Sequence, residues 1–236
     1  MSAASEPERF RASLLAGVDE PIRRYLSHAI ADGAELCAGV SLAMTGRIKA
    51  GLWLPFSARQ ECDGRSFAWR ARVGLGPFTA LAVVDRFAEG VGSMEGRLFG
   101  RTRLFRADDE NTTRSAAGRA ALEAVYTPAS LLPQRGVGWR AESDSEIVAT
   151  WDVPPERPEL HMRIDDRGAL RSYWAPRWRD MGQQQFGYVP CGCKVEAERR
   201  FGDSVVPSSI TGAWWFGTER ETPFYRAEIR ELATVR

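Results

Sequence analysis

Lysine is almost missing from this 236-residue chain: of its 32 basic residues only Lys49 and Lys194 are not arginine. A bias of that size reflects a GC-rich genome rather than a string of separate recognition sites. Neither sign of charge is in excess. The 32 Lys and Arg face 31 Asp and Glu, and no block of five or six like charges occurs, so there is no electrostatic footprint for nucleic acid or an anionic membrane. The chain also lacks an apolar run of the roughly eighteen residues that a membrane-spanning helix needs, which argues against membrane insertion. Its opening, Met1 to Phe10, has no basic segment followed by an apolar one, and a cytoplasmic location is expected on that reading.

Metal-binding and catalytic patterns are equally sparse. The four cysteines, Cys37, Cys62, Cys191 and Cys193, are expected to be reduced thiols in a chain far longer than a disulfide-dependent mini-domain. Cys191-Gly192-Cys193 is too tight for the two-residue spacer of zinc and thioredoxin-like sites, and His28 and His161 lie in unrelated contexts. No metal and no cofactor are expected. There is no G-x-S-x-G elbow, no phosphate-binding G-x-x-x-x-G-K-[ST] loop and no H-E-x-x-H. Gly90-Val91-Gly92-Ser93-Met94-Glu95-Gly96 lacks the strand-then-helix setting of a dinucleotide fingerprint.

What is present is alternation. Apolar residues make up 44% and charged residues 27%, ordinary globular values, and the length fits a single domain over 1–236. Two N-terminal helices are predicted, Glu6 to Gly17 and Asp19 to Asp32, the second with Asp19 as N-cap, Pro21 in its first turn and Gly33 as its stop. From Leu36 to Thr45 the period becomes two, which predicts a half-buried strand. Further strands are predicted at Phe56 to Cys62 and Ser66 to Val73 around an Asp63-Gly64 hairpin, then at Phe78 to Ala88 and Ser93 to Arg106.

An Ala-rich helix, about 112–127, interrupts the series and is ended by Pro128. Strands resume at Gly138 to Glu142, Glu146 to Val153, Glu159 to Asp165, Ala169 to Arg177, Gln184 to Val189, Lys194 to Phe201, Ser208 to Phe216 and Phe224 to Leu232. So many strands cannot remain one flat sheet. The expected fold is α+β, mainly antiparallel β: a curved, half-open barrel-like sheet with helices packed over its concave face, with a closed barrel or a two-sheet sandwich as the alternative.

Several side chains are candidates for a site. Asp85 follows Ala82-Val83-Val84 and is placed to point into the concave side or to end a strand at the surface. Arg119 and Glu123 are four apart on the mid-chain helix and share a face, as a surface ion pair or as a polar anchor inside a cavity. Eight tryptophans are many for this length. Trp53, Trp69 and Trp214, with Tyr126, are read as walls of an apolar trough, since an aromatic ring brings a large apolar area. Core packing accounts for any one of them equally well.

The segments Pro21-Ile22-Arg23-Arg24-Tyr25-Leu26, Trp53-Leu54-Pro55-Phe56-Ser57-Ala58-Arg59-Gln60, Phe67-Ala68-Trp69 and Asp85 to Gly92 resemble those of an uncharacterised bacterial family of unknown function. Residues Arg119 to Leu132 are similar to that family's R-Y-L-A-E-A-x-W-F-P-x-x-L-L motif. Arg119, Glu123, Pro128, Leu131 and Leu132 match it, while Ala120 and Ala121 replace Tyr and Leu, and Tyr126 and Thr127 replace Trp and Phe. The resemblance implies a half-barrel like that of lipoprotein carriers, and with it binding of an apolar small molecule.

Three functions follow as expectations. The first is non-enzymatic binding of a lipid-like or other apolar small molecule between sheet and helices, with an enclosed pocket of ~300–1,000 Å³. Arg119, Glu123, Tyr126, Trp53, Trp69, Asp85 and Trp214 would line it. The second is a small-molecule enzyme using Asp85, Glu123 or His28 as acid or base. The third is a structural or interaction module with a filled core.

Overall fold

The protein is described here by a computed structural model covering residues 8–75 and 78–235. The predicted helix Glu6 to Gly17 starts outside these residues, and its described part holds only a 3-10 turn at Ala12–Leu15. Helix α1 (Glu20–Ala29) follows. Ile22, Tyr25, Leu26 and Ala29 form its buried stripe, the spacing an amphipathic helix requires. It stops short of Asp32 because Ile30 is already extended and bridges Ser204. Gly33 serves the turn beyond, at φ +78°.

The strands form two meanders separated by a helix. The first holds β1 (Gly39–Ala50), β2 (Leu52–Cys62), β3 (Phe67–Leu75), β4 (Phe78–Ala88), β5 (Val91–Leu98) and β6 (Thr102–Ala107). After α2 (Glu110–Glu123) come β7 (Gly138–Ala141), β8 (Glu146–Thr150), β9 (Glu159–Ile164), β10 (Leu170–Asp180), β11 (Phe186–Phe201), β12 (Ser204–Trp214) and β13 (Thr222–Val235). Among the described residues these make one antiparallel sheet, ordered β6-β5-β4-β3-β2-β1-β13-β12-β11-β10-β9-β8-β7. The two meanders join at the middle, where β1 pairs β13 with Leu42 opposite Leu232.

The division into strands changes in two places. Ser93 to Arg106 is two strands, because Phe99 and Gly100 both take positive φ, 50° and 69°, and turn the chain. Gln184 to Val189 and Lys194 to Phe201 are one strand, with Pro190 set opposite Pro176 inside a continuous ladder. The Asp63-Gly64 turn is as expected. Asp63 Oδ1 accepts the amide hydrogens of Arg65 at 2.7 Å and Ser66 at 2.6 Å, and Gly64 supplies φ +83°.

The position of α2 measures the curvature. It packs on β10 along one flank and on β4 and β5 along the other, and even β4 lies seven places from β10 in the sheet order. Flat, that separation would be about 34 Å, whereas a helix is roughly 10–12 Å across. The sheet therefore curls around α2, which lies in its concave face. Close approach on both flanks depends on glycine: a Cβ on Gly92 of β5 would sit 2.7 Å from Ala116 Cβ, and one on Gly118 would sit 3.1 Å from Arg177 Cγ. Asp109 starts the helix by accepting the Thr112 amide hydrogen at 2.7 Å, an N-cap three residues before the predicted start. The α-helix ends at Glu123, before Pro128, and gives way to 3-10 turns at Ala124–Tyr126 and Pro128–Leu131.

Candidate functional site

Strand parity decides which side chains face α2. Along β2 the buried residues are Phe56, Ala58, Gln60 and Cys62, so even positions point inward and odd ones outward. The registers carry this inward row sideways: Leu42 faces Gln60, Gln60 faces Trp69, Trp69 faces Asp85, and Asp85 faces Met94. Two polar side chains, Gln60 and Asp85, thus stand 1% and 4% exposed in an apolar row.

Helix α2 supplies their partners. Arg119 donates from Nη1 to Asp85 Oδ2 at 2.6 Å, from Nε to Glu123 Oε1 at 2.9 Å, and from Nη2 to Gln60 Oε1 at 3.3 Å. Gln60 Nε2 closes the ring by donating to Glu123 Oε2 at 2.8 Å. The guanidinium carbon also lies 4.5 Å from the Phe67 ring centroid and 5.2 Å from that of Trp69, within cation–π range. Burial works against the charge on Arg119, but Asp85 and Glu123 outweigh it and its pKa is raised. Two carboxylates and one guanidinium leave this cluster with one net negative charge.

Beside the cluster lies a cavity of about 210 Å³, bounded by α2 and the concave sheet. Trp69, Tyr126, Tyr173, Ile210, Trp214 and Tyr225 form much of its wall. Gly212 leaves space there, with Tyr225 Cβ 3.3 Å and Cys193 Sγ 3.5 Å from where its own Cβ would be. The Tyr225 hydroxyl donates to Met44 Sδ at 3.1 Å and lies beside the buried Trp69 Nε1, which has no well-aligned acceptor. Trp214 and Phe224 stack at 5.5 Å between centroids. Burial raises the pKa values of Tyr126, Tyr173 and Tyr225, and those of the Cys191 and Cys193 thiols. The wall's hydroxyls and thiols stay protonated near neutral pH.

Of the residues expected to form a site, Arg119, Glu123, Asp85, Trp69, Tyr126 and Trp214 all border this cavity. Trp53 does not. It is an odd residue of β2 and faces outward, where the Arg226 guanidinium lies 4.8 Å from its ring centroid. The volume is also below the expected ~300–1,000 Å³. His28 stands apart on α1, its Nε2 2.8 Å from Glu198 Oε2, and shares no contact with Asp85 or Glu123. Gln60 was not anticipated; its signal is a polar side chain on the apolar parity of β2. Arg177 and Arg179 were also missed, although they continue the inward parity of Tyr173 and Ala175 along β10. Among the described residues no group of three or more His, Cys, Asp or Glu side chains is placed to hold a metal ion, and no helix is long and apolar enough to cross a membrane.

The chain belongs to a family of unknown function (DUF6920), whose model matches residues 16–233. No curated protein matches it. Among solved structures it is similar to a LolA superfamily protein from Nitrosomonas europaea, at 5% identity and a TM-score of 0.49, with 92% of each chain covered. It is also similar to a protein domain from Vibrio parahaemolyticus described as outer membrane lipoprotein-sorting, at 6% identity and a TM-score of 0.44, covering 84% of this chain and 85% of that one. A DUF1329 family protein from Desulfovibrio piger is a further likeness, at 9% identity and a TM-score of 0.41, covering 84% and 86%. The expected cytoplasmic location is withdrawn: neighbours described as LolA-superfamily and outer membrane lipoprotein-sorting proteins stand against it.

Proposed function

We propose that this protein binds a small apolar or amphiphilic molecule, without chemical conversion, in the cavity between α2 and the curved sheet. The observation that carries this reading is the contrast within one wall. The cavity is lined mainly by aromatic and aliphatic side chains, while three of the four charged groups at its edge, Asp85, Arg119 and Glu123, are already paired with one another and with Gln60. An apolar space with few, fixed polar groups is how proteins hold small ligands. Acid–base work by Asp85 or Glu123 gains no support from the geometry, because both carboxylates are held by the same guanidinium.

Native mass spectrometry of freshly purified protein tests the proposal, with a retained small molecule as the expected result. Gly212→Leu provides the control. Gly212 is buried without positive φ, so a leucine there fills the cavity rather than straining the backbone, and retention should be lost. A parent protein with no retained mass and no uptake of added decanol, decanoate or decyl phosphate would overturn the reading.

A further inference from the structure

Arg177 and Arg179 differ from the other charged groups around α2. Both lie on the inward parity of β10 and both are half-buried. Arg177 Nε donates to the Ser115 carbonyl at 2.9 Å, and Arg179 Nε donates to the Asp180 carbonyl at 3.1 Å. Neither makes a salt bridge among the described residues. Their guanidinium carbons lie 5.0 and 4.3 Å from the Trp214 ring centroid, so the same indole orients both. Burial, with the neighbouring Arg177 charge, holds the Arg179 pKa below its ordinary value.

This pair stands where the apolar cavity meets an opening of about 340 Å³. The two spaces share Asp85, Met94, Arg177 and Trp214. The carboxylates nearby have other bonds. Asp109 caps α2, Asp180 accepts the Gly182 amide hydrogen at 2.8 Å, and Asp85 is paired with Arg119. Within one trough, then, Arg119 is enclosed by two carboxylates, while Arg177 and Arg179, at an opening that Asp85, Asp109 and Asp180 also border, have no carboxylate bonded to them among the described residues. A guanidinium presents five N–H donors in a planar fork that matches an oxyanion.

Building on the binding function above, we propose that the ligand is an anionic amphiphile whose carboxylate or phosphate head docks on Arg177 and Arg179 while its apolar tail enters the cavity beneath α2. A neutral apolar molecule would use only the second half of this arrangement. An anionic head placed at the Arg119 end would instead meet Asp85 and Glu123.

Calorimetric titration of the full chain with decanoate, decyl phosphate and decanol at about pH 7.5, where a carboxylate is ionised, separates the two levels of the argument. At least one of the two anions should bind roughly tenfold or more tightly than decanol, and the better anion identifies the head. In Arg177→Gln/Arg179→Gln that ratio should collapse to about one. Arg179→Gln alone, which keeps the Arg177 bond to Ser115, should give an intermediate ratio and serves if the double variant does not fold. Equal binding of decanol and both anions by the parent would overturn the anionic head and leave apolar binding standing. No binding of any of the three would overturn both.

Discussion

Arginines stand at both ends of the same trough, in opposite situations. Arg119 is enclosed by Asp85, Glu123 and Gln60, all reached through side-chain oxygens. Arg177 and Arg179 reach main-chain carbonyls and one indole face. The difference separates charges that are paired within the fold from charges left without a carboxylate partner. A buried ion that already has partners can be exchanged for apolar groups as a set, but not one member at a time.

The largest expected effect comes from breaking the closed end. Arg119→Leu leaves Asp85 and Glu123 facing each other without a cation and should cost about 3–5 kcal/mol, read as a fall in the urea midpoint. Exchanging Arg119 and Glu123 together is not a clean control, because it strands Asp85. The set Gln60→Leu, Asp85→Leu, Arg119→Met and Glu123→Leu removes every charge together with the amide bonded to them, and its stability should match or exceed the parent's. A single-variant cost near zero would mean that the closed end does not anchor α2.

A smaller effect should separate the two flanks of the helix. Gly92→Ala puts a methyl 2.7 Å from Ala116 Cβ and 2.8 Å from Thr113 Cα, atoms with little freedom to move, and should cost about 1–3 kcal/mol in thermal unfolding. Gly118→Ala meets Arg177 Cγ at 3.1 Å and its Cα and Cβ at 3.6 Å, a looser approach than on the β5 flank. The gain of roughly 0.5–1 kcal/mol from removing a mid-helix glycine should offset that contact. Equal losses would show that the β5 flank is no tighter than the β10 flank.

The smallest change belongs to the open end. Arg177→Gln/Arg179→Gln removes two half-buried groups with no carboxylate partner, so the chemical-denaturation midpoint should move by less than about 1 kcal/mol equivalent. A loss as large as that of Arg119→Leu would erase the contrast between the ends.

Much of this arrangement was legible in the sequence. The two-residue alternation from Leu36, the Asp63-Gly64 turn and the four-residue spacing of Arg119 and Glu123 each depend on neighbours a few positions away. Parity alone would have placed Trp53 correctly, since it is odd where Phe56, Ala58, Gln60 and Cys62 are even. The same rule marks Gln60, Arg177 and Arg179 as polar side chains on inward positions. What parity cannot supply is register: that Asp85 falls beside Trp69, and Trp69 beside Gln60, is set by pairing between distant segments. The split at Phe99 was hidden for a local reason, because a non-glycine residue at positive φ gives little warning in sequence.

The pairing of β1 with β13 also bears on the order of assembly during synthesis. Each meander is built from neighbouring strands and can zip locally as its residues emerge, whereas Gly39 must find Val235 across almost the whole chain. Contacts of such sequence separation are slow to form, since ordering comes before its reward. The bottom of the trough is thus expected to close last, after both arginine-bearing ends have been made. A chain halted before Thr222 would carry Asp85, Arg119, Glu123, Arg177 and Arg179 and both meanders, with α2 able to touch each but with no strand pairing between them.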